Sequence, residues 1–204
     1  ICEKVKGADA NVVSRALGMD SRIGSKYIRP GLGFGGPCFP RDNKAFSAFA
    51  RMLEVPAKLA ETVDMVNSAQ VIRITARVKE ILKYAKNEKD NARIAVLGLS
   101  YKPNTPIVED SQALNIAQML ASEGYQVSVY DPQAIENAKG VLGDTVKYAR
   151  NKEDCLRLAD IAILAVPWEE FRKINLAKIN KKIILLDCWN AGPKGIKTEF
   201  LGKG

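Results

Sequence analysis

The chain has 204 residues, 47% hydrophobic and 26% charged, with a net charge of +8 and no histidine. That is the balance of a soluble globular protein large enough for one or two cores. The absence of histidine excludes Ser-His-Asp triads, Cys-His dyads and most zinc hydrolases, so proton transfer falls to Asp, Glu, Lys, Cys, Tyr or water.

No apolar run approaches the roughly 18–20 residues needed to span a bilayer. The opening ICEKVKGADA carries lysines and a glutamate where a secretory leader needs an apolar core. A cytoplasmic chain with no membrane partner is expected. The chain opens without Met on ICEKV, which reads as the inside of a helix, so a piece of a longer protein is expected. The basic excess lies early: residues 1–90 carry 16 Lys and Arg against 10 Asp and Glu. This favours an anionic ligand. Nucleic acid is not expected, because no helix–turn–helix, aromatic platform or basic cluster accompanies the charge.

Residues 1–18 read as one helix or two short ones broken at Gly7. Residues 19–42 hold glycine, proline and few periodic apolar positions, which predicts a long ordered loop. A short helix follows from about Asn43, with Asp42 placed to cap it. Pro56 opens a long helical stretch with apolar residues at Leu59, Val63, Val66, Val71, Ile74, Val78, Ile81 and Ala85. About 29 helical residues would run about 43 Å, suited to a spine between domains or a dimer interface.

The polar KNEKDNA (86–92) reads as a linker. It divides the chain into a helical region, 1–88, and a second domain, 89–204. RIAVLGL, QVSVYD, DIAILAV and KIILLD read as four strands, with SQALNIAQMLASEG a helix ended by Gly124. This α/β alternation predicts a parallel sheet covered on both faces.

A dinucleotide site needs GxGxxG between the first strand and its helix. The stretch there is GLSYKPNTPIVEDSQ, with one glycine and two prolines. Asp131 closes the second strand as a ribose-binding acid would, but a standard NAD site is not predicted. Tyr101 and Lys102 stand just beyond the first strand, where an aromatic face and a point charge suit a phosphorylated sugar or nucleotide.

Four cysteines, Cys2, Cys38, Cys155 and Cys188, form no CxxC pair and no zinc spacing. Three are expected in cores. Cys38 differs: in PGLGFGGPCFPRD (30–42) it is surrounded by glycines at 31, 33, 35 and 36 and by Pro37 and Pro40. The glycines leave backbone N–H groups open. Arg41 can favour the thiolate and Asp42 can orient water. Either this is a tight turn around a buried cysteine or the loop presents a nucleophile.

SRIGSKYIRPGLGFGGPCFPRD (21–42) closely resembles the active-site segment of the UDP-glucose 6-dehydrogenases in the UDP-glucose/GDP-mannose dehydrogenase family. RIAVLGLSYKPNTPIVEDSQALNIAQMLASEGYQVSVYDP (93–132) is similar to that family's C-terminal domain. Pro37, where sister enzymes carry histidine, and Phe34 favour the glucose branch. The resemblance implies an α/β architecture: a helical central dimerisation region with a long spine helix, then a Rossmann-like, parallel-sheet UDP-sugar-binding domain. It implies oxidation of the sugar C6 alcohol to a carboxylate in two hydride transfers to two NAD, with an aldehyde captured as a thiohemiacetal and passed on as a thioester.

Cys38 is then the nucleophile, and Asp42 assists water. Tyr27, Ile28, Arg29, Gly31, Phe34, Gly35 and Gly36 match the UDP-sugar site, with Gly35 and Gly36 N–H groups close to the sugar. Tyr101 and Lys102 are the second domain's contribution. Arg22 matches an arginine that reaches a neighbouring subunit's site, which implies a homodimer through the long helix. The sequence departs from the family twice. The run VEDS after Lys102 has no arginine, and DCWN (187–190) puts Trp189 or Asn190 where relatives often have one. The family's N-terminal NAD-binding domain is not in this sequence, so the chain alone is expected to be inactive. A stand-alone nucleotide-sugar-binding and dimerisation module, or a dehydrogenase for another UDP- or GDP-sugar, is the alternative.

Overall fold

A computed structural model of the chain describes residues 1–85, 92–193 and 196–204. The division placed at 88/89 lies outside the described residues. After a short turn, Cys2–Lys4, helix α1 spans Ala10–Gly18, started by Asp9, whose carboxylate accepts the Asn11 N–H at 2.8 Å.

Helix α2 spans Phe39–Met52 and begins four residues earlier than the sequence suggested. Pro40 explains the difference: its fixed φ suits a first turn, where a missing N–H costs nothing. Cys38, not Asp42, therefore occupies the cap position. Asp42 lies inside the first turn, and its N–H donates to the Cys38 carbonyl at 2.8 Å.

Helix α3, Lys58–Tyr84, has 27 residues. Its periodic face divides in two. Val71, Ile74, Val78, Ile81 and Leu82 are buried, whereas Leu59, Val63 and Val66 are exposed. The buried half shares one core with the sheet that follows. Ion pairs Lys79–Glu123, Arg77–Glu199 and Arg73–Glu3 line its flanks.

The sheet is built from β1 (Arg93–Leu97), β2 (Gln126–Tyr130), β3 (Lys147–Tyr148), β4 (Ile161–Leu164), β5 (Ile184–Asp187) and β6 (Thr198–Phe200). All pair in parallel, in the order β3-β2-β1-β4-β5-β6. Ile94 lies between Val127 and Ile161, so the β-branched runs form the centre of the core. Helices α4 (Gln112–Ser122), α5 (Ile135–Leu142), α6 (Lys152–Leu156), α7 (Glu169–Arg172) and α8 (Leu176–Ile179) connect the strands. Gly124, at φ +90°, ends α4 as expected: its N–H and that of Tyr125 return to Ala121 and Leu120.

The strand order reverses between β1 and β4, which opens a crevice beyond their carboxyl ends, the usual ligand edge of such sheets. The turns after β1, β4 and β5 border it. Among the described residues no helix is long and apolar enough to cross a membrane.

Candidate active site

Cys38 is exposed at the N-terminus of α2, while Cys155 and Cys188 are buried and Cys2 is half-buried. Two cysteines rather than three are thus core residues. The loop before Cys38 belongs to the helical region but is clasped by the carboxyl edge of the sheet. Gly36, at φ +91°, donates its N–H to the Glu109 carbonyl at 2.8 Å. A Cβ there would lie 2.6 Å from the Tyr101 ring, so only glycine fits. Gly35 likewise abuts the Asp110 carbonyl, and Gly31 abuts the Trp189 indole.

The glycines therefore serve close approach between the two regions more than open N–H groups, and the Gly36 N–H is already engaged. The VED run works through its backbone: Glu109 and Asp110 present carbonyls to the cysteine loop.

Asn67 of α3 was not singled out in the sequence, where it is one polar residue on a half-exposed helix. In the structure its Oδ1 accepts the Phe34 N–H at 2.8 Å and its Nδ2 donates to the Phe34 carbonyl at 2.9 Å. Gln112 of α4 reaches the same carbonyl at 3.5 Å. The Phe34 ring then packs edge-on against Phe39, centroids 6.1 Å apart.

Close to the thiol, Arg41 Nε donates to Asp42 Oδ1 at 2.9 Å. That hydrogen bond, followed by the charges of Asp42 and Cys38, holds the guanidinium pKa above its ordinary value. Asp42 Oδ2 carries no hydrogen bond among the described residues, which leaves it open to a water.

On the sheet side, Lys102 Nζ lies 5.2 Å from the Tyr101 ring centroid, within cation–π range, with its charge toward solvent. Asp131 does not resemble a ribose ligand. Its Oδ2 accepts the Leu99 N–H, the Ser100 N–H and hydroxyl, and Trp168 Nε1 at 2.7–3.2 Å; its Oδ1 accepts the Gln133 and Ala134 N–H groups. A carboxylate so fully used braces the turn after β1 and has nothing left for a ligand. Residues 98–111 hold no glycine fingerprint for a dinucleotide.

The remaining residues are dispersed. Ile28 and Arg29 line a cavity of about 890 Å³ with Arg15, Asp187, Asn190 and Lys203, and Cys38 is not among its walls. Tyr27 is 89% exposed. Arg22 points outward and pairs with Asp20 at 2.6 Å. Within a single chain, neither joins the cluster formed by Phe34, Gly36, Cys38 and Tyr101.

Two family models match the chain in order. The central domain of the UDP-glucose/GDP-mannose dehydrogenase family covers residues 1–69, and its UDP-binding domain covers residues 95–192. The chain belongs to this family. It is 36% identical over 193 residues to the UDP-glucose 6-dehydrogenase TuaD of Bacillus subtilis, covering 93% of the chain and 41% of that protein. A UDP-glucose dehydrogenase structure from Pyrobaculum islandicum matches with TM-score 0.85 at 30% identity, covering all of this chain and 45% of that one. A UDP-D-ManNAc dehydrogenase from Pyrococcus horikoshii matches with TM-score 0.77 at 26% identity, covering 95% and 44%. The chain thus spans about two fifths of the length of the curated relatives it matches.

Proposed function

We propose that the chain is the thiol-bearing, UDP-sugar-binding portion of an NAD-dependent UDP-glucose 6-dehydrogenase, acting as a homodimer through α3. The observation that carries the reading is the exposed Cys38 at a helix N-terminus, on a loop clasped to the sheet edge that bears Tyr101 and Lys102.

In this reading the UDP-sugar lies along the clasp. Lys102 meets the phosphates at the clasp beside Phe34, Gly35, Gly36 and Tyr101, while Ile28 and Arg29 serve from the separate cavity they line; Gly31 lies against Trp189 and Tyr27 is exposed. Arg22 reaches the partner subunit's site, which fits its outward direction here. Cys38 Sγ adds to the C6 aldehyde: an S–C bond forms, the carbonyl π pair moves to oxygen, and that oxygen takes the thiol proton. The thiohemiacetal holds C6 in place for its oxidation to a thioester. Water bound at Asp42 then attacks the thioester carbon, and its proton passes to the carboxylate. The S–C bond breaks with its pair on sulfur, which takes the proton from Asp42, returning the thiol, the carboxylate of Asp42 and the sugar acid. NAD, the oxidant implied by the resemblance, finds no glycine fingerprint in the turn after β1, and in this reading another part of the protein binds it.

The missing fingerprint also favours a second reading, a nucleotide-sugar-binding and dimerisation module with no catalytic role. Cys38→Ala in the full-length protein separates the two. Loss of sugar-acid formation supports the dehydrogenase, and unchanged oxidation supports the binder. This chain alone should not reduce NAD with UDP-glucose.

A further inference from the structure

We propose that Asn67 is a positioning residue for Cys38, required more for aldehyde capture than for formation of the aldehyde. The inference rests on the thiohemiacetal reading above.

The first half of α3 contributes no buried residue before Val71. Apolar burial therefore does not hold the cysteine loop to this part of the helix. What joins them is the Asn67 amide, which meets both the N–H and the carbonyl of Phe34, at 2.8 and 2.9 Å, as a neighbouring strand would. Gly33 comes so close to Asn67 Oδ1 that a Cβ would overlap it, so the loop is shaped around this side chain.

Phe34 flanks the thiol in two ways. Its backbone leads through Gly35 and Gly36 into Cys38, and its ring packs on Phe39, the first residue after Cys38. Gly35 and Gly36 are held from the sheet side by Asp110, Glu109 and Tyr101. Asn67 supplies the hold from the helix side. Without it the helix-side hold falls to α2 beyond the thiol, where Asn43 Nδ2 donates to the Ala60 carbonyl at 2.9 Å, and the loop before Cys38 is held from the sheet side alone; a thiol must be aimed at a carbonyl carbon to within a fraction of an ångström.

The consequence differs between the two oxidations. Forming the aldehyde does not use Sγ, whereas converting it to acid does. In the full-length dehydrogenase, Asn67→Ala and Asn67→Asp should slow aldehyde-to-acid conversion by about tenfold or more, with aldehyde formation reduced by no more than about threefold. Free UDP-linked aldehyde, trapped with hydroxylamine, should accumulate. Asn67→Asp keeps the acceptor for the Phe34 N–H, so it also serves where the alanine variant does not fold. In this chain, Asn67→Ala should raise the hydrogen-exchange rate of the Phe34 amide, and both variants should alter Cys38 alkylation at temperatures well below unfolding.

Cys38→Ala, measured alongside, keeps the two claims apart. If Cys38→Ala forms acid normally, the thiol reading fails. If Cys38→Ala blocks acid formation while the Asn67 variants release no aldehyde, or slow both steps equally, the positioning role is overturned.

Discussion

The Trp189 indole lies against the Cα of Gly31, with no room for a side chain between them. The ring is fixed by its Nε1, which donates to the Ala165 carbonyl at 2.8 Å, and by the Trp189 N–H, which donates to Asp187 Oδ1 at 3.0 Å. One wall of the clasp is thus a rigid aromatic. Gly31→Ala should destabilise the chain by roughly 1–3 kcal/mol, the usual cost of overpacking. In a chain of this size that lowers Tm by about 2–4 °C per kcal/mol. Combining it with Trp189→Leu should recover part of the loss in a double-mutant cycle, because the two positions touch.

Asp131 should behave as a brace. Asn keeps one acceptor oxygen where the carboxylate now serves six donors. Asp131→Asn should therefore cost about 3 kcal/mol or more, read by denaturant unfolding. An unchanged midpoint would mean that the turn after β1 is held by something else.

The cysteines should separate by burial. Burial pushes the Cys155 thiol up to about 12, and burial with the neighbouring Asp187 charge pushes Cys188 up as well. Iodoacetamide at neutral pH should modify Cys38, and Cys2 more slowly, while Cys155 and Cys188 react only after unfolding. Peptide mass spectrometry reads this directly.

Glu3 ties the first turn to both α3 and the chain's end, accepting from Arg73 at 2.7 Å and from the Gly202 N–H at 2.8 Å. Burial raises its carboxyl pKa, but the Gly202 N–H and then Arg73 outweigh it and hold the pKa below the ordinary 4.5. A depressed carboxylate stabilises the folded state fully above its ordinary pKa and loses that contribution as pH falls through the folded value. Exchange protection of the Gly202 amide should therefore fall on acidification below 4.5. Glu3→Gln should remove that pH dependence.

Much of the sheet is legible in the sequence because its central strands are short apolar or alternating runs rich in Ile, Val and Leu: β1, β2, β4 and β5 stand where RIAVLGL, QVSVYD, DIAILAV and KIILLD lie. β3 and β6 have two and three residues and carry no periodicity to read. The start of α2 was hidden by Pro40, a helix breaker except in the first turn. Cys38, Tyr101 and Lys102 stood out through composition and place. The meaning of the glycines did not, because close approach depends on which distant residue arrives: Trp189, Tyr101 or the Asp110 carbonyl. Asn67 carried no signal, since a polar residue on a half-exposed helix face is what solvent alone would produce.

Lys102 tests the ligand more than the chemistry. A charge-assisted contact to a phosphate is worth about 1.5–3 kcal/mol, so Lys102→Ala should weaken UDP binding by roughly 10- to 100-fold in calorimetry. The remaining affinity should depend less on salt. Equal affinity in wild type and variant would mean that Lys102 is a solvated surface lysine.

The central claim is that Cys38 captures the C6 aldehyde, and this chain tests it without any oxidant. A UDP-linked 6-aldehyde of glucose carrying ¹³C at C6 can be mixed with the chain and followed by NMR. A protein-bound thiohemiacetal carbon signal is expected, one that UDP displaces and that Cys38→Ala abolishes. The same signal in Cys38→Ala, or no adduct in a wild-type chain shown to bind the compound, would contradict it.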